Sequence, residues 1–298
     1  MPTLDAVQPA LLRRLEAFRL TVRNIHWSNR LGGRFVIKRR GSSIEFADYM
    51  PYTPGDDIRA IDWNLYARLD RLYVRTYHEE VELAVEIIID ATESMRLPSP
   101  KKFARACELA ACMTHLSLAA GHHARIGWIA PGAMAPSPWL VRRGEFGRVE
   151  KMMAAVKAGG SVAFDQWMTR AVATRRMRGG QAIVLSDWMI RPAELFAGLN
   201  QLIRRRVEVK VIQIISPEEL DPARLVQGGV VVDSETGATH ELGYRPEELR
   251  DAVREHNESV ARFCKRNGMA FVQHRLNEPL DELLFRSLPA HGFIEPLH

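Results

Sequence analysis

Cysteine is scarce. Three in 298 residues, an odd number at scattered positions, exclude a disulfide framework. Cys107 and Cys112 are five apart and do not share one helix face, and Cys264 stands alone. They read as reduced core thiols of a cytoplasmic protein. Long apolar runs are missing too. The longest nearly uncharged stretch, residues 109–121, includes Thr114, His115 and Ser117 and is shorter than the about 20 residues that cross a bilayer. Asp5, Arg13, Arg14 and Glu16 break up the start of the chain, which lacks the apolar centre of a signal peptide. No H-E-x-x-H pattern, no cysteine pair at metal spacing and no glycine-rich P-loop occurs. These absences exclude zinc-protease chemistry and Walker-type ATP binding, so any ATP-dependent work must come from a partner.

Net charge is also small. Lys and Arg number 41 and Asp and Glu 36, giving +5, a weak field over this length that permits nucleic acid but does not imply it. Basic groups lie at residues 23–40, at Arg175, Arg176 and Arg178, and at Arg204, Arg205 and Arg206. Readers of nucleic acid interleave aromatics, and the first group holds only Trp27 and Phe35. Arginines near a helix end are more simply solvated there and complement the helix dipole. What is present is globular: 46% hydrophobic and 26% charged residues, enough for one large domain or two small ones.

Residues 4–25 place Leu11, Leu12, Leu15, Phe18 and Leu20 among Arg and Glu, which predicts an amphipathic helix. The basic segment 23–40 is followed by an acidic one, 45–62, where Glu45, Asp48, Asp56, Asp57 and Asp62 face only Arg59 and where Pro51, Pro54 and Gly55 mark turns. Two possibilities stay open for these opposite blocks: they fold against one another, or they form a partner-binding face. From residue 81 strands alternate with helices. Strands are expected at 86–90, 124–130, 181–187, 207–215 and 269–274, a short one at 139–142, and a hairpin from 229–233 and 239–242. Helices are expected from Pro100 to Gly121, over 145–157 and 163–177, from Pro192 to Arg206, and from Pro246 to Gly268. Strands separated by helices of this length form βαβ units, hence a doubly wound, mostly parallel α/β sheet. The expected organisation is an N-terminal helix and extension, residues 1–80, packed on an α/β domain of residues 81–298.

Ligands of doubly wound sheets bind at the carboxyl ends of strands, where the strand order reverses. Two strands here end on a carboxylate, Asp90 and Asp187. After Asp90 come Thr92 and Ser94, alternate residues whose oxygens can turn inward in a tight loop, and Ser161 follows Gly159 and Gly160 in another loop. Hard oxygen ligands with few charges suit Mg2+, with Mn2+ or Ca2+ as substitutes. The plainer alternative is that each Asp caps the loop after it. His122 and His123 read as solvated turn residues, and His78, Glu79 and Glu80 as a solvated edge, because neighbours in a strand do not converge on one side. In the turn at 54–59, Gly55 permits a left-handed turn, Asp56 or Asp57 caps it and Arg59 pairs with a carboxylate, or the turn belongs to a partner surface. No Lys or His has a claim to be a general base beside Asp90. A metal-dependent phosphoesterase using the same carboxylates therefore ranks behind a non-enzymatic interaction module.

The D-x-T-x-S pattern, the later glycine-rich loop with a hydroxyl and the strand ending in Ser186-Asp187 resemble the metal-ion-dependent adhesion site of von Willebrand factor A domains. The strings GSSIEFADY at 41–49, YTPGDDIRAIDW at 52–63, AR at 67–68 and LYVR at 72–75 resemble a bacterial family catalogued as domain of unknown function fifty-eight. Its members carry a von Willebrand A-like domain, and the strong resemblance covers about residues 36 to 95. It implies a Rossmann-type three-layer fold and a cytoplasmic adaptor for a MoxR-type AAA+ ATPase or its client. It also implies direct metal binding by Thr92 and Ser94, direct or water-bridged binding by Asp90 and Asp187, a loop hydroxyl from Ser161, and a partner's Asp or Glu completing the shell. Thr92 stands where Ser is usual, Ser161 where Thr is usual, and Trp188 where Gly is common. A ring at residue 188 would narrow access to the metal, which puts Trp188 beside Asp56, Asp57 and Arg59 as an expected partner-facing residue.

Overall fold

The computed structural model describes residues 7–22, 45–54, 58–78, 83–132, 135–174, 180–221, 230–232, 239–241 and 246–297. They form two compact units, residues 36–82 and residues 1–35 with 83–298.

In the larger unit α1 (Pro9–Leu15) and β1 (Phe18–Leu20) open the chain. In the smaller unit come β2 (Glu45–Pro51), α2 (Trp63–Leu69) and β3 (Tyr73–His78). The larger unit continues with β4 (Ala84–Asp90), α3 (Lys101–Ala119), β5 (His123–Ile129), α4 (Phe146–Ala155) and α5 (Phe164–Thr174). Then follow β6 (Gln181–Ser186), α6 (Pro192–Arg204), β7 (Glu208–Ile215) and the single turn α7 (Pro217–Leu220). A short antiparallel hairpin, β8 (Val230–Val232) and β9 (Thr239–Glu241), precedes α8 (Pro246–Arg266) and β10 (Ala270–Arg275). Short helical turns α9 (Leu280–Glu282) and α10 (Leu288–Ala290) lead to β11 (Ile294–Pro296).

Five strands form one parallel sheet in the order β10-β7-β6-β4-β5. In β4, β5, β6 and β7 burial is nearly continuous rather than alternating because helices cover both faces, whereas the edge strand β10 alternates. Side chains still alternate with period two. Val85, Ile87 and Ile89 enter one core with α1, α3 and α4, while Ile88 enters the other with α5, α6 and α8. Ile183 and Leu185 follow the first face and Ala182 and Val184 the second. The expected doubly wound, three-layer Rossmann-type sheet is present. Helices α5 and α6 approach closely at Gly198, where a Cβ would run into the Phe164 ring. All three cysteines are free and buried, and burial pushes each thiol up to about 12, consistent with inert core thiols.

Two expectations are corrected at the N-terminus. The helix predicted over 4–25 ends at Leu15, because residues 18–20 are taken as a strand antiparallel to β11. The helix also belongs to the α/β unit rather than to an extension: Leu11 and Leu15 are buried in its first core. A buried lysine holds this corner. Lys210 Nζ donates to Thr21 O at 2.7 Å, Thr21 Oγ1 at 3.0 Å and Phe293 O at 2.7 Å, tying both chain ends to β7. The short strand expected at 139–142 is only a bridge between Leu140 and Ala124.

The smaller unit is an antiparallel pair, β2 with β3, and α2. Asp62 caps α2: its Oδ1 accepts from Asn64 N at 2.9 Å and Leu65 N at 3.1 Å, and its Oδ2 accepts from the Tyr49 hydroxyl at 2.9 Å. Arg59 lies exposed in a turn of 3-10 helix, Ile58–Ala60. Asp56 and Asp57, and with Gly55 the middle of the turn at 54–59, lie outside the described residues, as do Glu79 and Glu80. Among the described residues no helix is long and apolar enough to cross a membrane.

Replacing Lys210 by Met removes three charge-assisted hydrogen bonds, although Thr21 O keeps Gln181 Nε2 and Phe293 O keeps Thr21 N, and the expected loss is about 1–3 kcal/mol. Urea unfolding measures it, and an unchanged midpoint would show that the chain ends are held without this lysine.

Candidate functional site

The strand order places the site. From β4 the chain crosses by α3 on one face to β5 at the sheet edge. From β6, on the other side of β4, it crosses by α6 on the opposite face to β7. The loops leaving β4 and β6 therefore part, and the crevice between their carboxyl ends is the topological switch point. Asp90 ends β4, Ser186 ends β6 and Asp187 follows directly after it.

Asp90 is buried and is met by hydroxyl and amide donors. Its Oδ1 accepts from Thr92 N at 3.0 Å and from the Thr92 hydroxyl at 2.7 Å, and its Oδ2 accepts from the Ser186 hydroxyl at 2.6 Å. The Thr92 and Ser94 hydroxyl oxygens lie 3.0 Å apart. Because Thr92 gives its proton to Asp90, the lone pairs of Thr92 Oγ1 are left for Ser94 or for a cation. Ser161 is exposed, and the loop before it is stitched to the Asp90 loop: Gly159 N donates to Ala91 O at 2.9 Å and Glu93 N to Gly160 O at 2.8 Å. Asp90, Thr92 and Ser94 are thus brought together, with Asp187 on the adjoining strand end and the Ser161 loop alongside.

Asp187 has a partner that sequence patterns did not supply. Lys102, in the first turn of α3 and fully buried, donates to Asp187 Oδ2 at 2.8 Å and also to Glu219 Oε1. Glu219 belongs to a capping box on α7: its Oε2 accepts from Ser216 N at 2.8 Å while its own N donates to Ser216 Oγ. Lys102 could have been found, since residues 102, 106, 109 and 113 share the stripe of α3 that enters the core. Burial opposes the charge on Lys102, but Asp187 and Glu219 overcome it and hold the ammonium above the ordinary lysine value. A lysine so held is a cation and not a general base.

Trp188 is corrected as well. Its ring is buried, not partner-facing: Nε1 donates to Ile212 O at 3.1 Å and the ring meets Phe164 edge-on. Its φ of +60° is the left-handed conformation for which Gly is the usual choice. Here the turn is held by Trp188 N donating to Ser186 Oγ at 3.0 Å, by Gln213 Nε2 donating to Asp187 O at 2.9 Å, and by His256 Nε2 lying 2.7 Å from Trp188 O. Further along the sheet edge, Arg105 Nη1 lies 2.5 Å from His274 Nε2. Arginine only donates, so His274 is neutral with its proton on Nδ1. Burial and then Arg105 lower it to about 3. His122, expected to be solvated, is half-buried, its Nδ1 accepts from Leu83 N at 3.4 Å, and burial lowers it to about 4.

Burial first, and the Asp187 charge second, raise Asp90 from 3.8 to about 6. Below 3.8 both folded and unfolded chains hold this proton. Between 3.8 and about 6 only the folded chain does, so stability falls as pH rises through that window. At neutral pH the charged Asp90 carries the full cost, about 3 kcal/mol. Asp90→Asn removes the titration. With chelator present, the stability of D90N relative to the natural protein should rise between about pH 4 and about pH 8. A difference that does not move with pH, measured by urea unfolding, would contradict this.

Among the described residues no three of His, Cys, Asp and Glu come together in positions that could hold a metal ion, so a cation here would rest on hydroxyl oxygens beside carboxylates. The chain is 26% identical over 287 residues to the uncharacterized protein Rv1480 of Mycobacterium tuberculosis and to the uncharacterized protein Mb1516 of Mycobacterium bovis, covering 91% of this chain and 86% of each. Similar solved structures include the conserved hypothetical protein BatB of Bacteroides thetaiotaomicron, with TM-score 0.41, 14% identity, and coverage of 70% of this chain and 96% of that one. A von Willebrand factor type A protein of Catenulispora acidiphila has TM-score 0.36, 20% identity, and coverage of 63% of this chain and 44% of that one. The family model described as "Protein of unknown function DUF58" matches residues 48–262, most of the chain, and the protein belongs to that family.

Proposed function

We propose that this protein is a non-enzymatic interaction module that captures an acidic side chain of a protein partner through a divalent cation, Mg2+ in the first instance. Thr92 and Ser94 would hold the ion directly, Asp90 and Asp187 directly or through water, and Ser161 would offer a further hydroxyl. The partner inferred is a MoxR-type AAA+ ATPase or its client, a step supported by family resemblance alone.

The observation that carries the reading is the Thr92 hydroxyl donating into Asp90 at 2.7 Å beside Ser94. A hydroxyl whose proton is engaged presents its lone pairs outward, as a cation ligand must. Charge supports the same conclusion. Asp90, Asp187 and Glu219 carry three carboxylates into one buried neighbourhood, where Lys102 is the ammonium bonded to two of them. A hard divalent ion would offset the excess, and the donor set of hydroxyl and carboxylate oxygens fits Mg2+. The bound ion would supply an open coordination position for a partner's carboxylate. Nothing favours phosphoester hydrolysis: Lys102 is held charged, and Asp90 receives protons from its neighbours rather than facing a water-activating base.

Thr92→Val keeps the side-chain shape and deletes the hydroxyl. Calorimetric titration with Mg2+ is expected to show binding by the natural protein, weakened about tenfold or more in T92V. Capture of the AAA+ ATPase from an extract should be lost with EDTA and in Asp90→Ala. Equal Mg2+ heats for the two folded proteins, or capture indifferent to both EDTA and D90A, would overturn the cation-mediated function.

A further inference from the structure

Lys102 divides the carboxylate cluster into two halves. On one side, both oxygens of Asp187 are engaged: Oδ2 accepts from Lys102 at 2.8 Å and Oδ1 from Met189 N at 3.1 Å. Glu219 is engaged likewise, by Lys102 and by Ser216 N. On the other side, Asp90 meets hydroxyls and an amide, and among the described residues no Lys, Arg or His forms an ion pair with it. The lysine reaches this position from the first turn of a helix most of whose residues are buried, and it is itself fully buried. A long charged side chain is placed in a core only where its charge is matched, and here two acids from two different elements match it.

The geometry points to Lys102 as a resident cation that reserves Asp187, so that an exchangeable divalent ion is held directly by Asp90, Thr92 and Ser94 and reaches Asp187 only through water. This inference rests on the cation site proposed above and names what sets its strength. With a fixed positive charge on Asp187, the exchangeable ion is bound by one free carboxylate and neutral hydroxyls and is repelled by the ammonium. Such an ion is held loosely and keeps positive charge to offer an incoming acidic side chain. Asp187 then acts by position: it anchors Lys102 and, through its backbone carbonyl, the Gln213 side chain at 2.9 Å. Glu219 acts as the counterweight, since it draws part of the ammonium's charge away from Asp187. Lys102 is accordingly a positioning and affinity-setting residue and not a ligand.

The opposite signs of two substitutions test this. Mn2+ serves as the probe, its free fraction read by electron paramagnetic resonance in the full chain. Lys102→Met frees Asp187 and removes the repulsion, so Mn2+ affinity should rise by about tenfold or more. Glu219→Gln leaves Lys102 to Asp187 alone and removes one negative charge, so affinity should fall. A merely structural lysine would not give a gain of affinity on removal. Should K102M fail to fold, the double variant K102M/E219Q removes one buried charge of each sign and carries the same expectation of tighter binding. Mn2+ binding by the natural protein that is unchanged or weaker in K102M, or in the double variant, overturns the role of Lys102 and leaves the cation site standing. Absence of Mn2+ binding in the natural protein and in K102M alike overturns both.

Discussion

Asp90 ends a strand buried on both faces, and its carboxylate has left water without meeting a described cation. Everything at the carboxyl edge of the sheet is arranged around that charge. Thr92 folds back onto it with backbone and side chain, and Ser186 reaches it from the next strand. Three hydrogen bonds favour the ionised form, yet burial and the neighbouring Asp187 outweigh them. A group in that balance is stabilised by any positive charge brought to it, which is why the loop has chemical meaning beyond capping.

The sheet makes this balance possible by parting its loops. Because α3 and α6 leave on opposite faces, the ends of β4 and β6 are not roofed by a single crossover. The first turn of α3 instead delivers Lys102 across the edge to β6 and α7. One helix thereby connects both sides of the switch point with a single ammonium. The opposite end of the sheet has its own buried lysine, Lys210, bonded to Thr21 and Phe293, and that one serves the chain ends. The two lysines show the same physics, a buried cation surrounded by oxygen, in a structural and in a candidate functional setting.

Much of this was legible in the residues. Continuous apolar strands such as residues 84–90, helices opened by Pro192 and Pro246, and the left-handed stop at Gly121 announce themselves locally. So does the D-x-T-x-S spacing, because three alternate residues in one loop need no long-range knowledge. Residues 18–20 were not legible as a strand, since their partner is β11 at the far end of the chain. Trp188 misleads because exposure cannot be read from a residue that occupies a position suited to Gly; its ring turns inward to Ile212 and Phe164. Lys102 and Glu219 are separated by more than a hundred positions, and only the fold brings them together. Each left a local trace, a lysine on a core-facing stripe and an acid in a capping box, but neither trace names the other.

Whether a divalent cation seats at Asp90, Thr92 and Ser94 is read from crystals of the protein soaked in Mn2+, by an anomalous difference map. The expected result is a peak within coordination distance, about 2.2 Å, of the Thr92 and Ser94 hydroxyl oxygens, with Lys102 still on Asp187. A map without density there, from crystals in which the loop is ordered and open to solvent, would contradict it.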